Sequence, residues 1–299
     1  MAWWQLLRIG NVFTAISNIL AGALLVRNEW SPLGPLVALA GASALLYTAG
    51  MVLNDAFDAE IDARERPERP IPSGRISRQQ AFYVGFGLLT LGVGCSYFAS
   101  WLLENRTSVY IGGLLAVAVV GYDGWWKKTE FGPSAMGICR YLNVLLGASV
   151  ATDLLQEPTA WIYAAVVGMY TLGLTLFARS ENEVAKTKGQ TVGGLVTLGS
   201  MALLAAMPWV LAGFWNDRTM VAIWFGCLGL FGLVVARGLM AALRNPGPAA
   251  FRKYVMILLL GFVVLDGLAV FAAVGWISGA IVLTLVIPSR VIARWAPMT

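Results

Sequence analysis

The sequence predicts an all-α fold, a polytopic bundle of transmembrane helices. Of the 299 residues, 58% are hydrophobic and only 12% are charged, about half the charged fraction that soluble domains carry. Long uncharged stretches recur along the chain, and each approaches the roughly 20 apolar residues that a helix needs to cross a bilayer. These stretches lack the alternating polarity of transmembrane strands, so helices are the spanning element. A water-soluble fold is excluded.

Charged and turn-rich breaks divide the chain into about nine predicted spans. They cover residues 9 to 26, 33 to 53, 79 to 103, 108 to 122, 133 to 152, 159 to 178, 191 to 214, 219 to 243 and 254 to 274. A tenth span from 276 to 292 is left open, because Pro288 and Arg290 interrupt it. No stretch resembles a linker or a separate soluble domain, so we expect one domain over residues 1 to 299.

Basic residues are concentrated in alternate loops, which predicts the orientation of the chain. With the N-terminus in the cytoplasm, the cytoplasmic loops carry Arg64, Arg66, Arg69, Arg75, Arg78, Lys127, Lys128, Arg179, Lys186, Lys188, Arg244, Arg252 and Lys253. The opposite loops carry Arg27, Arg106 and Arg218. The positive-inside rule favours this orientation, and we expect a multi-pass protein of the bacterial inner membrane, with the lipid bilayer as a partner. It also explains the net charge of +5, so no nucleic acid partner is expected.

The longest charged stretch follows the second predicted span and contains an acidic run. If the helix continues through this run, Asn54, Asp58 and Asp62 recur every four residues and share one face, with Asp55 beside them. Like charges at this spacing repel each other, which indicates a bound cation. Magnesium fits best, because it takes one or two carboxylates and completes its shell with waters and substrate phosphate oxygens.

A plainer interpretation of the same stretch is a solvated helix end. Arg64, Arg66 and Arg69 would then anchor the segment at anionic headgroups. This interpretation explains the arginines well. It explains poorly why an asparagine and three aspartates would lie beside a leaflet that is already negative, so the cation site is favoured.

The run Asn-Asp-x-x-Asp-x-x-x-Asp at residues 54 to 62, followed by Arg69-Pro70-x-Pro72-Ser73-Gly74, resembles the signature of the UbiA superfamily of intramembrane prenyltransferases. The resemblance implies nine transmembrane helices around a central cavity that opens to the cytoplasmic face. It implies transfer of a prenyl group from an isoprenoid diphosphate donor to a small acceptor, with Mg²⁺ as cofactor. Asn54, Asp58 and Asp62 would hold magnesium and diphosphate, with Asp55 in support.

The segment between the fourth and fifth predicted spans resembles a second part of the family site. Tyr122, Lys127 and Lys128 match the family's tyrosine and basic segment, which implies that they approach the diphosphate. An ammonium group binds phosphate as a point charge and stabilises a departing diphosphate. Positive-inside anchoring explains either lysine alone equally well. Arg69 is a further candidate for binding the diphosphate.

The loop after the sixth predicted span departs from the family pattern. Family members place a second pair of aspartates, four residues apart, ahead of a glycine. Here Glu181 stands in for the first aspartate, as a metal and substrate ligand, and Ala185 occupies the place of the second. Asn182, Glu183, Lys186 and Lys188 are alternative sources of an oxygen ligand or a positive charge. The departure leaves a second magnesium, the donor length and catalysis open.

Polar residues inside the predicted spans form a second group of candidates. Asn18 lies in the first span, Arg140 and Asn143 share a face of the fifth, and Asp266 lies in the ninth. Ionisable groups at such depth face a cavity or a partner. Arg140, Asn143 and Asn18 are candidates for substrate binding. A structural pairing, for example of Asp266 with Arg237, is at least as good an explanation.

The predicted reaction is magnesium-assisted ionisation of the donor followed by capture of the allylic cation by the acceptor. Asp58, Asp62, Lys127 and Tyr122 are the predicted catalytic residues. The chain contains no histidine, so any proton must leave to another base. Two alternatives remain, a catalytically weakened protein that binds prenyl lipids and a solute transporter. The sequence shows no inverted repeats of the kind that transporters carry.

Overall fold

The computed structural model describes residues 2–151, 153–179, 186–211, 216–244 and 247–293. All regular structure in these ranges is helical, so the predicted all-α class is confirmed. The α-helices are α1 (Ala2–Leu7), α2 (Val12–Arg27), α3 (Leu33–Phe57), α4 (Ala59–Glu65), α5 (Arg78–Leu102), α6 (Thr107–Gly124), α7 (Gly132–Ala148), α8 (Pro158–Arg179), α9 (Lys186–Ala206), α10 (Arg218–Arg244), α11 (Pro248–Val274), α12 (Trp276–Leu283) and α13 (Val286–Ala293). The single domain over residues 1 to 299 stays a prediction.

Eight helical segments of the described ranges are long and apolar enough to cross a membrane. A ninth crossing follows from how the ends of α7 and α8 meet. Arg179, at the end of α8, donates to the carbonyl of Thr129, just before α7, at 2.6 Å. Because α7 starts where α8 ends, the two helices are antiparallel, and the 17 residues of α7 traverse the bundle as α8 does.

The open tenth segment is two short helices, α12 and α13, rather than one span. Trp30 Nε1 donates to Ser278 Oγ at 3.2 Å near one end of α2, and Ser289 Oγ donates to the Gly10 carbonyl at 2.8 Å near the other. The pair of helices therefore runs back along α2. Pro288 explains the interruption. In one continuous helix, the proline ring would clash with the backbone carbonyl of Thr284, the residue that caps the end of α12.

Helix α2 lies in the middle of the bundle and packs against α3, α7, α8 and α11. Its contact with α7 depends on small residues. A Cβ atom at Gly22 would collide with the Val144 carbonyl, and one at Gly147 would collide with the Ile19 backbone. Close backbone approach at glycine is a usual basis of helix packing in membranes. This packing fixes the two helices that carry the buried polar residues.

Asp266 is fully buried and is surrounded by neutral donors. Its carboxylate accepts hydrogen bonds from Ser17 Oγ at 2.5 Å, Tyr163 Oη at 2.5 Å and Asn18 Nδ2 at 2.9 Å. The suggested pairing with Arg237 is therefore wrong, because three polar side chains of α2 and α8 already satisfy the carboxylate. A buried polar group with all its hydrogen bonds made stabilises one arrangement of helices.

Candidate functional site

The acidic run does not continue as one helix. Helix α3 ends at Phe57, α4 begins at Ala59, and Asp58 between them has φ −88° and ψ 3°. The Asp58 amide still donates to the Asn54 carbonyl at 3.0 Å, and the Asp62 amide to the Asp58 carbonyl at 2.9 Å. The chain nevertheless turns at Asp58. The expected single face of Asn54, Asp58 and Asp62 is not kept, because Asp58 lies between the two helices and Asp62 pairs with Arg69 rather than with Lys127.

Asn54 and Asp58 point at one cation, the ammonium of Lys127. Lys127 Nζ lies 2.7 Å from Asp58 Oδ2 and 3.0 Å from Asn54 Oδ1. Lys127 belongs to a short 3-10 helix, Trp126–Lys128, that connects α6 to α7. We call these three side chains the mouth cluster. Two oxygens from successive turns thus converge on a single position at the end of the bundle.

Asp55 and Asp62 form a second cluster on Arg69. Arg69 Nη1 lies 2.6 Å from Asp62 Oδ2 and 3.5 Å from Asp55 Oδ1, and Arg8 Nη2 lies 3.0 Å from the same Asp55 oxygen. Both carboxylates are buried. The predicted role of Asp62 as a third ligand beside Asn54 and Asp58 stays a prediction, and its carboxylate is already paired with Arg69.

A small cavity of about 60 Å³ lies directly deeper in the bundle than the mouth cluster. Helices α2, α3, α6 and α7 line it, with Tyr47, Tyr122, Arg140 and Asn143 among the lining residues. Gly50 of α3 also lines the cavity and lies one turn before Asn54, so both face the same side of α3. Three of the predicted site residues, Tyr122, Arg140 and Asn143, thus line one cavity, and their roles stay predictions.

Arg140 and Asn143 make their recorded hydrogen bonds with protein groups. Arg140 Nη1 donates to the Thr14 carbonyl and to Asn18 Oδ1, both at 3.0 Å, and its guanidinium lies 4.6 Å from the centroid of the Phe262 ring. Asn143 donates to the Ala15 carbonyl at 2.9 Å and accepts from a serine of α3. Their role in substrate binding stays a prediction.

Asn18 lies outside the lining of this cavity. It is fully buried, and it joins Arg140 to Asp266, accepting from the first and donating to the second. Substrate binding by Asn18 stays a prediction, and its described contacts connect α2, α7 and α11. The buried charges of Arg140 and Asp266 are therefore linked through an amide rather than by direct contact.

Comparison with known proteins gives the family. The model of the UbiA prenyltransferase family matches residues 15–251. The chain belongs to the UbiA prenyltransferase family. The resemblance and the predicted prenyltransferase are thereby confirmed, and so is the integral membrane character, to which the eight apolar spans contribute.

Individual relatives agree with the family match. The chain is 29% identical over 254 residues to digeranylgeranylglyceryl phosphate synthase of Natronomonas pharaonis, covering 84% of this chain and 86% of the relative. It is 27% identical over 205 residues to the protein of the same name from Saccharolobus solfataricus, covering 67% of this chain and 68% of the relative. These names describe what the chain is similar to.

Solved structures show the same fold. A structure of digeranylgeranylglyceryl phosphate synthase matches with a TM-score of 0.64 and 18% identity, over 91% of this chain and 98% of its own. A UbiA homolog from Archaeoglobus fulgidus bound to DMAPP and Mg²⁺ matches with a TM-score of 0.63 and 12% identity, over 95% of this chain and 99% of its own. The helix arrangement described above is therefore that of the UbiA fold.

The two lysines predicted to approach the diphosphate differ in their surroundings. Lys127 is mostly buried in the mouth cluster, whereas Lys128, the next residue, is exposed. The sequence predicts the same role for both lysines, and the structure distinguishes them by their exposure.

The predicted ligand Glu181, from the loop after α8, lies outside the described residues, as do Asn182, Glu183 and Ala185. Of the two remaining candidates, Lys186 and Lys188, only Lys188 has a described side chain.

Sequence reasoning missed Arg8 and Asp123. Arg8 lies between α1 and a short 3-10 helix, Ile9–Asn11, and its backbone has a positive φ of 43°, so no helical pattern points to it. Asp123 had a visible signal, since it is the single charged residue of α6 and directly follows Tyr122. Both residues approach the end of α3 from other parts of the chain.

A basic cleft of about 510 Å³ opens on the Arg69 side of the same end of the bundle. Its charged lining consists of Arg8, Arg66, Arg69 and Arg252, opposed by Asp55 and Glu68. Arg66 and Arg252 are exposed and come from the α4–α5 connection and from α11. The cleft therefore carries an excess of positive charge within reach of the mouth cluster.

Proposed function

We propose that this prenyltransferase moves a prenyl group from an isoprenoid diphosphate to a glyceryl phosphate, with magnesium bound at Asn54 and Asp58. The observation that carries the proposal is the convergence of Asn54 Oδ1 and Asp58 Oδ2 on one position, now taken by Lys127 Nζ at 3.0 Å and 2.7 Å. That position lies at the mouth of a cavity between four helices. The geometry supports a cation and a diphosphate at the mouth, with the prenyl chain deeper in the bundle.

The donor set of the mouth cluster fits magnesium. Within the described residues, no group of three histidine, cysteine, aspartate or glutamate side chains is close enough to bind a metal by itself. Magnesium suits such a site, because it is held by one or two protein carboxylates and by water and phosphate oxygens. Asn54 and Asp58 would hold it, with Asp62 and Glu181 as further candidates. When bound, it neutralises charge on the diphosphate.

The residues around the mouth supply the other parts of the reaction. Lys127 stabilises the departing diphosphate as the bond between the allylic carbon and oxygen breaks. Tyr122 and Tyr47 line the cavity in which the allylic cation forms, and aromatic ring faces stabilise cations. The apolar lining of the bundle excludes water, which would otherwise capture the cation.

Two observations support a phosphate-bearing acceptor. The relatives from Natronomonas pharaonis and Saccharolobus solfataricus are both named digeranylgeranylglyceryl phosphate synthase, whose named product contains a glyceryl phosphate. The chain itself presents the basic cleft of Arg8, Arg66, Arg69 and Arg252 beside the mouth cluster. Arginine guanidinium groups are well suited to bind phosphate oxygens. We therefore favour a glyceryl phosphate over an uncharged aromatic acceptor.

We further propose that the mouth and the N-terminus face the cytoplasm. Arg8, Arg69, Lys127, Arg179 and Arg252 all lie at the end of the bundle that carries the mouth, and the positive-inside rule assigns such an end to the cytoplasm. The predicted bacterial membrane stays a prediction, and the relatives named above come from archaea.

The test is turnover by the purified protein in detergent. Dimethylallyl, geranyl and geranylgeranyl diphosphates are offered as donors, with geranylgeranylglyceryl phosphate or an aromatic hydroxy acid as acceptor, in magnesium or in EDTA. We expect magnesium-dependent product with the glyceryl phosphate. Asp58→Asn should lower turnover by about 100- to 1000-fold, the usual effect of losing one group that stabilises transition-state charge.

Glu60→Gln is the matched control, because Glu60 lies two residues from Asp58 and pairs with Arg78 at the exposed surface. It should change turnover by less than about twofold, since surface ion pairs contribute little. Product with the aromatic acceptor alone would overturn the acceptor class. If no acceptor gives product but the donor binds and Asp58→Asn abolishes binding, the chain is a lipid-binding relative without turnover.

A further inference from the structure

Asp123 is a buried carboxylate, and one of its oxygens has no hydrogen-bond partner among the described residues. Its side chain is 3% exposed, and Oδ2 makes no hydrogen bond to any group that the structure describes. Burying a polar atom without a hydrogen bond costs free energy, and such atoms are uncommon in native proteins. In a functional cavity, the missing partner is often a ligand. The surroundings of Asp123 show which kind.

Asp123 lines the cavity directly beneath the mouth cluster. It lies near the end of α6, four residues before Lys127, whose ammonium belongs to the mouth cluster. Across the cavity is Gly50, where an added Cβ atom would be 3.8 Å from Asp123 Oδ2. The carboxylate therefore faces α3 one turn deeper than Asn54, between the place of the diphosphate and the apolar cavity.

Among the described residues that line this cavity, Asp123 carries the one buried side-chain oxygen without a hydrogen-bond partner. Asn143 Oδ1 accepts from Ser43 Oγ at 2.7 Å, and Arg140 only donates. Tyr122 also lines the cavity, but a neutral phenol is a poor base. Among the described residues that line the cavity, Asp123 is the carboxylate, and its open oxygen points to a ligand that donates a hydrogen bond.

We propose that Asp123 binds the nucleophilic hydroxyl of the acceptor and takes its proton during prenyl transfer. In this step the bond between the allylic carbon and the diphosphate oxygen breaks, and its electron pair leaves with the diphosphate. A lone pair of the acceptor oxygen forms the new carbon–oxygen bond, and the hydroxyl proton passes to Asp123. The assignment rests on the proposed transfer to a glyceryl phosphate. The nucleophile is the acceptor hydroxyl that carries neither the phosphate nor a prenyl group.

The experiment compares wild type with Asp123→Asn, which keeps the shape of the side chain and removes its ability to take a proton. Asp153→Asn is the matched control, because Asp153 is an exposed aspartate that caps a 3-10 helix before α8. For each protein we measure the Kd for geranylgeranyl diphosphate in magnesium, the melting temperature in detergent, and kcat with geranylgeranylglyceryl phosphate.

We expect Asp123→Asn to lower kcat by about 100-fold or more, as for the loss of a general base, while the donor Kd and the melting temperature match wild type. Asp153→Asn should match wild type in all three measurements. Unchanged kcat in Asp123→Asn would overturn the assignment. A donor Kd that weakens as much as kcat falls would also overturn it, because Asp123 would then belong to the diphosphate site.

The two proposals fail in different ways. If wild type binds the donor but makes no prenylated glyceryl phosphate, the proposed function fails, and the role of Asp123 fails with it. If wild type makes the product and Asp123→Asn makes it equally fast, only the role of Asp123 fails. A lower melting temperature in Asp123→Asn, with normal kcat per folded molecule, would assign the residue to packing and overturn the proposal.

Discussion

The mouth cluster and the buried network around Asp266 both contain a carboxylate within a membrane bundle, but their partners differ. At the mouth, Asp58 pairs with the long, flexible side chain of Lys127 and keeps part of its surface exposed. In the network, Asp266 is fully buried, and neutral side chains of α2 and α8 that are themselves buried supply its hydrogen bonds. A metal ion and a substrate can displace the flexible Lys127 ammonium from Asp58, whereas they cannot displace the fixed donors around Asp266.

The difference shows how to distinguish a site from a scaffold among intramembrane acids. Depth and charge alone indicate that a residue needs a partner. Whether that partner is replaceable decides the role. Asp123 extends the comparison, because it is buried like Asp266 but its Oδ2 has no partner among the described residues. The following predictions test whether the mouth acts in catalysis and the network in stability.

The largest expected effect is on the stability of the network. Asp266→Asn replaces one acceptor oxygen with an NH2 group, which cannot accept a hydrogen bond, so either the Ser17 or the Tyr163 hydroxyl loses its acceptor and we expect the unfolding free energy in detergent to fall by about 3 kcal/mol. Tyr163→Phe removes one of these donors and should cost about 1 kcal/mol. Normal stability of Asp266→Asn together with lost turnover would place Asp266 in the catalytic site and remove the contrast.

A somewhat smaller effect is expected where α2 meets α7. In Gly22→Ala the new methyl group would collide with the Val144 carbonyl, so the unfolding free energy should fall by about 2 kcal/mol. Gly41→Ala is the control, because nothing lies within 4 Å of a Cβ atom at that position of α3. Equal stability of the two variants would show that close packing of α2 and α7 does not hold the network in place.

The smallest effect separates the two lysines beside the mouth. Lys127→Met should lower turnover by about tenfold, the equivalent of about 1.4 kcal/mol, since a charge-assisted contact to the diphosphate is lost. Lys128→Met should change turnover by less than about twofold, because Lys128 is exposed. Steady-state rates at saturating donor give both values. Similar losses in both variants would mean that general positive charge, rather than the position of Lys127, is required.

Much of the fold could be predicted because it follows from apolar length. The helices α3 and α10 begin and end within a few residues of the predicted spans, since charged or turn-forming residues bound them on both sides. The final segment could not be predicted as well. One proline, Pro288, divides it into α12 and α13, and how a helix continues after a proline depends on its packing.

The site was predicted in composition but not in arrangement. Asn54, Asp58 and Lys127 were expected to act together, and the structure brings them together, although their roles stay predictions. The grouping of Asp62 with Asp55 depends on Arg69 and on Arg8, which is 47 residues from Asp55 in sequence. Contacts at that separation are set by the tertiary fold, so a helical periodicity of four cannot show them.

The most direct test of a magnesium site at the mouth is the linkage between magnesium and donor binding. Binding of geranylgeranyl diphosphate to the purified protein is measured by calorimetry in magnesium and in EDTA, for wild type, Asn54→Ala and Asp58→Asn. We expect magnesium to strengthen binding by at least about tenfold in wild type and to have little effect in either variant, because its two protein ligands converge on one position. Equal binding in magnesium and EDTA for wild type, or a full magnesium effect in both variants, would contradict the assignment of Asn54 and Asp58.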